Sequence, residues 1–261
     1  MERRDTFGSP SQRIQLSSQL DLAKKPPATQ PIGEPVQPKF KGRTAVLIAT
    51  GPSFSGQQLE TIQQAKKRGD VVTFGINNIY QQVPDLDVLL SCDGPWWRWY
   101  WNDPVLREMS KTTEMWTWYP EFAKEFGINY IYGDQKMRGL SLDNRKVHIN
   151  HGSGPMILNL AILYGCSKIV MIGHDMKFAP DYKPREQKPG STPRHYFGEY
   201  PKPLQHWPSV KVRQGVLDGL IEAYREIKED MDARLSSVDV VNCTPDTALK
   251  MFRRGDLEKE I

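Results

Sequence analysis

Five short apolar runs constrain this chain more than any other feature. TAVLIA (44–49), VVTFG (71–75), DVLLS (87–91), KIVMIG (168–173) and VDVVN (238–242) show no apolar/polar alternation. Continuous runs of this kind are strands buried on both faces, which occur where helices cover a parallel sheet from both sides. Helical patterns separate them: a polar helix that carries Leu59 and Ile62 and ends near Gly69, a helix over 154–164, and an amphipathic helix over 209–235. INYIYG (128–133) and KVHIN (146–150) are two shorter strand candidates. The expected fold is α/β and Rossmann-like, a mostly parallel sheet with helices on both faces.

Sheets of that type bind ligands outside the carboxyl ends of their strands, near the point where strand order reverses. The polar and glycine-rich residues of this chain fall at those ends: Thr50-Gly51-Pro52-Ser53, Asn77 and Asn78, Asp93, and Gly173 to Asp175. The turn 50–53 matches neither the Walker sequence nor GxGxxG, so those two nucleotide readings fail on spacing. A plain strand-to-helix turn explains it as well as a ligand does.

Composition bounds the rest. The chain has 261 residues, 38% of them apolar, enough for a sizeable core. No apolar run approaches the roughly 20 residues needed to span a bilayer. The opening MERRDTFGSPSQRIQ lacks an apolar stretch, which predicts no secretory leader. Cys92, Cys166 and Cys243 are odd in number, far apart and without metal-ligand spacing. They fit reduced thiols and a cytoplasmic location. A net charge of +4 without a dense basic block suits an anionic ligand but does not argue for nucleic acid. Residues 1–41 hold five prolines between 26 and 38 and few apolar anchors, so a disordered tail or tether is expected there, with one domain over 42–261.

Gly152-Ser153-Gly154-Pro155 opens the helix after the strand candidate 146–150. Ser153 is expected as N-cap and Pro155 in the first turn. Two glycines fit close approach of a ligand phosphate, ribose or sugar; tight helix packing is the rival. The long segment 179–208 is rich in proline yet carries Tyr182, His195, Tyr196, Tyr200 and Trp207, as a lid or binding loop would. His195 has the chemistry of a general base, although a lone loop histidine is commonly a surface residue. PWWRWYWND (95–103) offers aromatic faces for stacking on a base or sugar, or for packing. His148, His151 and His174 form no compact metal motif, though His151 and His174 are placed to approach the strand ends.

VLIATGPSF (46–54), FGINNIY (74–80), HGSGPMILNLAILYGCSKIVMIGHD (151–175), PRHYFG (193–198) and VNCTPDTALKMF (241–252), in this order, resemble bacterial sialyltransferases of glycosyltransferase family 42. They also resemble the wider sialyltransferase-like group, domain of unknown function 115. The resemblance covers residues 44 to 252 and implies a variant of the nucleotide-sugar transferase A-type fold with a lid. It further implies an inverting transfer that needs no metal or other cofactor. The donor is a nucleotide-sugar, CMP-linked in the family, and the acceptor a hydroxyl; a glycan, a lipid-linked sugar and a modified base in nucleic acid all stay open as its carrier. By this similarity His195, with Tyr196 beside it, supplies the base. Gly51, Ser53, Asn77, Gly152, Ser153 and Gly154 line the donor site, and Pro245 and Asp246 approach the nucleoside. Tyr182 and Lys177 fall near the two tyrosines that steady the leaving group. The chain departs from the pattern at Thr50 (asparagine in the family), Asn150 (basic), Lys177 and Asp246 (amide). A homo-oligomer is compatible with the family. Two other functions stay open on the residues: a pterin diphosphokinase-like enzyme using ATP and Mg²⁺ held by Asp93 and Asp175, and a non-catalytic nucleotide- or glycan-binding module.

Overall fold

A computed structural model describes residues 31–149, 152–178, 195–198, 200–201 and 214–261. Eight strands form one sheet, all parallel: β1 (Thr44–Ile48), β2 (Val71–Ile76), β3 (Val88–Leu90), β4 (Glu114–Thr117), β5 (Asn129–Tyr130), β8 (Lys168–Ile172), β9 (Asp239–Asn242) and β10 (Arg253–Arg254). Their order is β10-β9-β8-β1-β2-β3-β4-β5. The chain therefore builds outward from β1 in one direction and then returns to build outward in the other. The switch point lies between β1 and β8, paired from Thr44↔Lys168 to Ile48↔Ile172.

Side chains of β1 alternate between two cores. Ala45, Leu47 and Ala49 join one; Val46 and Ile48 join the other. On the first face lie α5 (Ser153–Leu163) and α6 (Gln214–Arg234), through residues such as Leu158, Leu160, Tyr224 and Ile227. On the second lie α1 (Gly56–Arg68), α2 (Gly94–Tyr100), α3 (Pro104–Met109) and the short α7 (Leu257–Glu260). Helix α4 (Pro120–Phe126) follows β4. Residues 153–162 of α5 are all buried, as befits a helix caught between the sheet and α6.

Several expectations need correction. INYIYG is not one strand: it divides at Ile131, whose N–H donates to Thr117 O at 3.0 Å while Tyr132 N–H donates to Arg145 O at 3.1 Å. Asn129–Tyr130 stays in the main sheet, and β6 (Tyr132–Asp134) pairs in parallel with β7 (Lys146–His148) as a second, two-stranded sheet. Residues 31–41, assigned to the tail on composition, pack on the domain. Val36 is fully buried, and Glu34 N–H and Val36 N–H donate to Tyr130 O and Asn144 O, each at 2.8 Å. Phe40 packs on Tyr164 with ring centroids 5.2 Å apart. Two apolar anchors hold this stretch, which also blunts the β5 edge. The tryptophan run is packing: Trp96 and Trp97 are buried, with Nε1 donating to Asn78 Oδ1 (2.7 Å) and Ser91 O (3.1 Å). Among the described residues no helix is long and apolar enough to cross a membrane.

Candidate functional site

A cavity of about 260 Å³ opens at the carboxyl ends of β1, β2, β3 and β8, over the switch point. From the predicted set it is lined by Thr50, Gly51, Pro52, Asn77, Asp93, Gly152, Ser153, Gly154, Asp175, Lys177 and His195.

The first wall is the exit of β1. Ladder hydrogen bonds run past its end, with Ala49 N–H donating to Ile172 O and Gly51 N–H to Gly173 O, each at 2.9 Å. Gly51 has no room for a side chain: a Cβ there would lie 1.8 Å from Asp175 Oδ2 and 2.4 Å from Gly173 O. Ser53 hydroxyl donates to Asp175 Oδ2 at 2.9 Å, so Ser53 acts on the cavity through Asp175. Burial raises the Asp175 carboxyl above its ordinary value, with the Ser53 bonds opposing.

Asn77 leaves β2 in the left-handed region (φ 49°), as do Met176 (50°) and Asp246 (44°), the three non-glycine residues with positive φ among those described. All three follow strands at this end of the sheet, and strained backbone of this kind clusters at functional sites. Ser153 does not cap α5. The N-cap is Gly152, and Ser153 begins the helix. Its hydroxyl instead accepts from Cys92 N–H (3.0 Å) and donates to Asn77 Oδ1 (3.4 Å), joining the exits of β2 and β3 to the helix N-terminus. Packing explains the second glycine: a Cβ at Gly154 would lie 2.4 Å from the Tyr224 hydroxyl of α6. At Gly152 the nearest obstacle is the tip of Leu220, 3.0 Å away.

His195 is brought to β1 from 145 residues away: its Nδ1 lies 3.2 Å from Thr50 Oγ1, and Tyr196 N–H donates to Thr50 O at 3.1 Å. The imidazole stacks on Phe197 (4.9 Å, 2°) and meets Tyr200 edge-on (5.3 Å). Tyr196 turns away from the cavity. Its hydroxyl donates to Asn78 O at 2.5 Å, and burial raises its pKa. Asn78 is itself buried beneath, on Trp96. Pro245 and Asp246 lie beyond the lining, where Asp246 forms an ion pair with Lys177. Tyr182, Asn150, His151 and the rest of 179–208 apart from 195–198 and 200–201 lie outside the described residues. Contrary to expectation, His174 stays out of the cavity: it is fully buried, with Nδ1 2.8 Å from Tyr224 Oη. His148 is buried against Arg138 O.

Tyr200 of the expected binding loop also lines the cavity, and Cys92, Met176, Phe178 and three residues of α6, Val216, Leu217 and Leu220, line it without having been foreseen. The α6 residues had a signal: its apolar stripe starts a full turn and more before Tyr224. Among the described residues no three His, Cys, Asp or Glu gather as metal ligands.

Fold and cavity together define an α/β protein of Rossmann-like architecture with a cavity at the topological switch point. No protein-family model and no curated protein matches the chain. Among solved structures it is similar to the MAf glycosyltransferase from Magnetospirillum magneticum AMB-1, with a TM-score of 0.50 at 10% identity. The match covers 87% of this chain but 35% of that one, so the chain spans about a third of its structural neighbour. The two share a fold.

Proposed function

We propose that residues 31–261 form a sialyltransferase-like glycosyltransferase that moves a sugar from a nucleotide-linked donor to an acceptor hydroxyl. One observation carries the reading: the distant His195 lies against Thr50 at the same cavity that is lined by Asn77 and the start of α5. Amides opening a helix receive phosphate oxygens, and the adjoining polar groups suit ribose or sugar hydroxyls. In the proposed step His195 takes the acceptor hydroxyl proton as that oxygen bonds to the anomeric carbon. The bond from that carbon to the donor phosphate oxygen breaks, its electron pair leaves with the nucleotide, and configuration inverts. Thr50 and Phe197 hold the imidazole, and Lys177 faces the charge that develops on the phosphate. The likeness to a glycosyltransferase fold supports the reading at the level of architecture.

The test is thermal denaturation of the purified protein with CMP, CDP, UDP, GDP, ADP or ATP, each with and without Mg²⁺. A ligand bound by the folded state alone, at 100 times its Kd, adds about 2.7 kcal/mol of stability. Stabilisation by one nucleotide without Mg²⁺, followed by transfer from the corresponding nucleotide-sugar, is the expected result. Stabilisation by ATP with Mg²⁺ alone would favour the diphosphokinase-like chemistry instead, and no shift with any nucleotide would end the nucleotide reading.

A further inference from the structure

Lys177 and Asp246, two positions at which the chain departs from the family pattern it resembles, lie 69 residues apart and meet in an ion pair. Lys177 is the one Lys or Arg among the described residues that lines the cavity. The partners are unequally placed, with the Asp246 side chain 83% exposed and that of Lys177 38%. Backbone rather than burial holds the carboxylate at the rim. Ala248 N–H donates to Asp175 O (2.9 Å), Thr247 hydroxyl to His174 O (2.6 Å) and His174 N–H to Thr244 Oγ1 (3.0 Å), fastening the loop after β9 to the loop after β8. The Lys177 hydrogen bond and charge hold the Asp246 carboxyl below its ordinary range, and Lys250 and Arg254 add to that field.

We propose that Asp246 is a specificity-determining counter-ion which competes with substrate phosphate for Lys177, the ammonium exchanging the carboxylate for an entering phosphate. The inference rests on the nucleotide reading above. A displaced Asp246 turns to water that it already faces, with Lys250 and Arg254 still acting on it, so its release costs little. The phosphate gains a cation on a cavity whose other wall is the start of α5. Until it is displaced, the carboxylate opposes any anion approaching Lys177. Asp246 thereby sets how strongly the site prefers an anionic nucleotide to its neutral nucleoside.

Asp246→Asn removes the charge and keeps a residue that tolerates the left-handed backbone. Calorimetric titration of wild type, Asp246→Asn, Lys177→Met and the double variant with inorganic pyrophosphate, CMP and cytidine reads the exchange directly. Asp246→Asn should tighten pyrophosphate and CMP about three- to tenfold, the scale of one exposed ion pair and one nearby like charge. Cytidine should be unaffected, and the gain should vanish in the Lys177→Met background. Unchanged or weaker pyrophosphate binding in Asp246→Asn, an equal gain for cytidine, or a gain that survives Lys177→Met would overturn the proposal. So would failure of all four proteins to bind pyrophosphate. Tighter pyrophosphate binding with no nucleotide bound would refute the nucleotide reading and leave the exchange standing.

Discussion

Gly51→Ala is the most economical test of how the cavity is built. A methyl group at this position would lie 1.8 Å from Asp175 Oδ2, 2.7 Å from Asp175 Cγ and 2.4 Å from Gly173 O. The carboxylate can swing aside by giving up the Ser53 hydroxyl, but Gly173 O is backbone and already accepts from Gly51 N–H. The β1 and β8 exits must therefore separate. Overpacking of this kind costs about 1–3 kcal/mol. Loss of the Gly51–Gly173 hydrogen bond adds about 1 kcal/mol. The total of about 2–4 kcal/mol corresponds to a fall in Tm of roughly 4–16 °C for a domain of this size. Differential scanning calorimetry reads it, with Gly56→Ala as control, since a Cβ at Gly56 meets nothing within 4 Å. The variant should also lose whatever nucleotide-dependent stabilisation the wild type shows. A Gly51→Ala protein that melts within a degree of wild type and keeps that stabilisation would refute the close approach of Asp175 to the β1 exit.

Three further outcomes are expected. His195→Ala should lower transfer about 10²- to 10⁴-fold, the usual worth of a general base, while nucleotide stabilisation persists; full turnover would remove His195 from the mechanism. Burial pushes the His174 pKa from 6.5 down to about 3. The folded state thus resists a proton that the unfolded chain accepts, so stability is intact above pH 6.5 and falls by about 1.4 kcal/mol per pH unit below it. Urea melts between pH 6.5 and 5 should show that slope in wild type and lack it in His174→Gln; equal slopes would contradict the assignment. Trp96→Phe strands the side-chain amide oxygen of Asn78, Oδ1, and should cost about 1–3 kcal/mol by urea unfolding, with nucleotide stabilisation unchanged; loss of that stabilisation would place the tryptophan run at the binding site.

The sheet was legible because parallel strands buried on both faces leave uninterrupted apolar runs, and each such run proved to be a strand. The cavity was legible for a related reason: polar and glycine residues directly after those runs mark strand exits, and Thr50, Asn77, Asp93 and Asp175 were found by that rule alone. What local pattern does not encode is the partner of a side chain. Ser153 satisfies every local preference of an N-cap, yet its hydroxyl is taken by Cys92 and Asn77, neighbours supplied by two other strands. Gly154 looks like a ligand glycine until Tyr224, 70 positions further on, is brought against it. Composition misjudged residues 31–41 because Val36 and Phe40 are sufficient anchors once a sheet edge and Tyr164 are present to receive them.

The switch point also sets an order of assembly. Strand β1 meets β2 early, Thr44 pairing with Val71, but its other neighbour begins at Lys168, more than a hundred residues later. Contacts that distant are the slow ones to form. While the chain is being synthesised, β1 through β5 can pair in sequence, leaving the far side of β1 as an open edge of fully buried-type residues, Ala45 to Ile48. An uncovered apolar edge of this kind invites pairing with another chain. A polypeptide ending before residue 168 should therefore aggregate through β1, and the arrival of β8 closes that edge while it brings Gly173, Asp175 and Lys177 to the cavity.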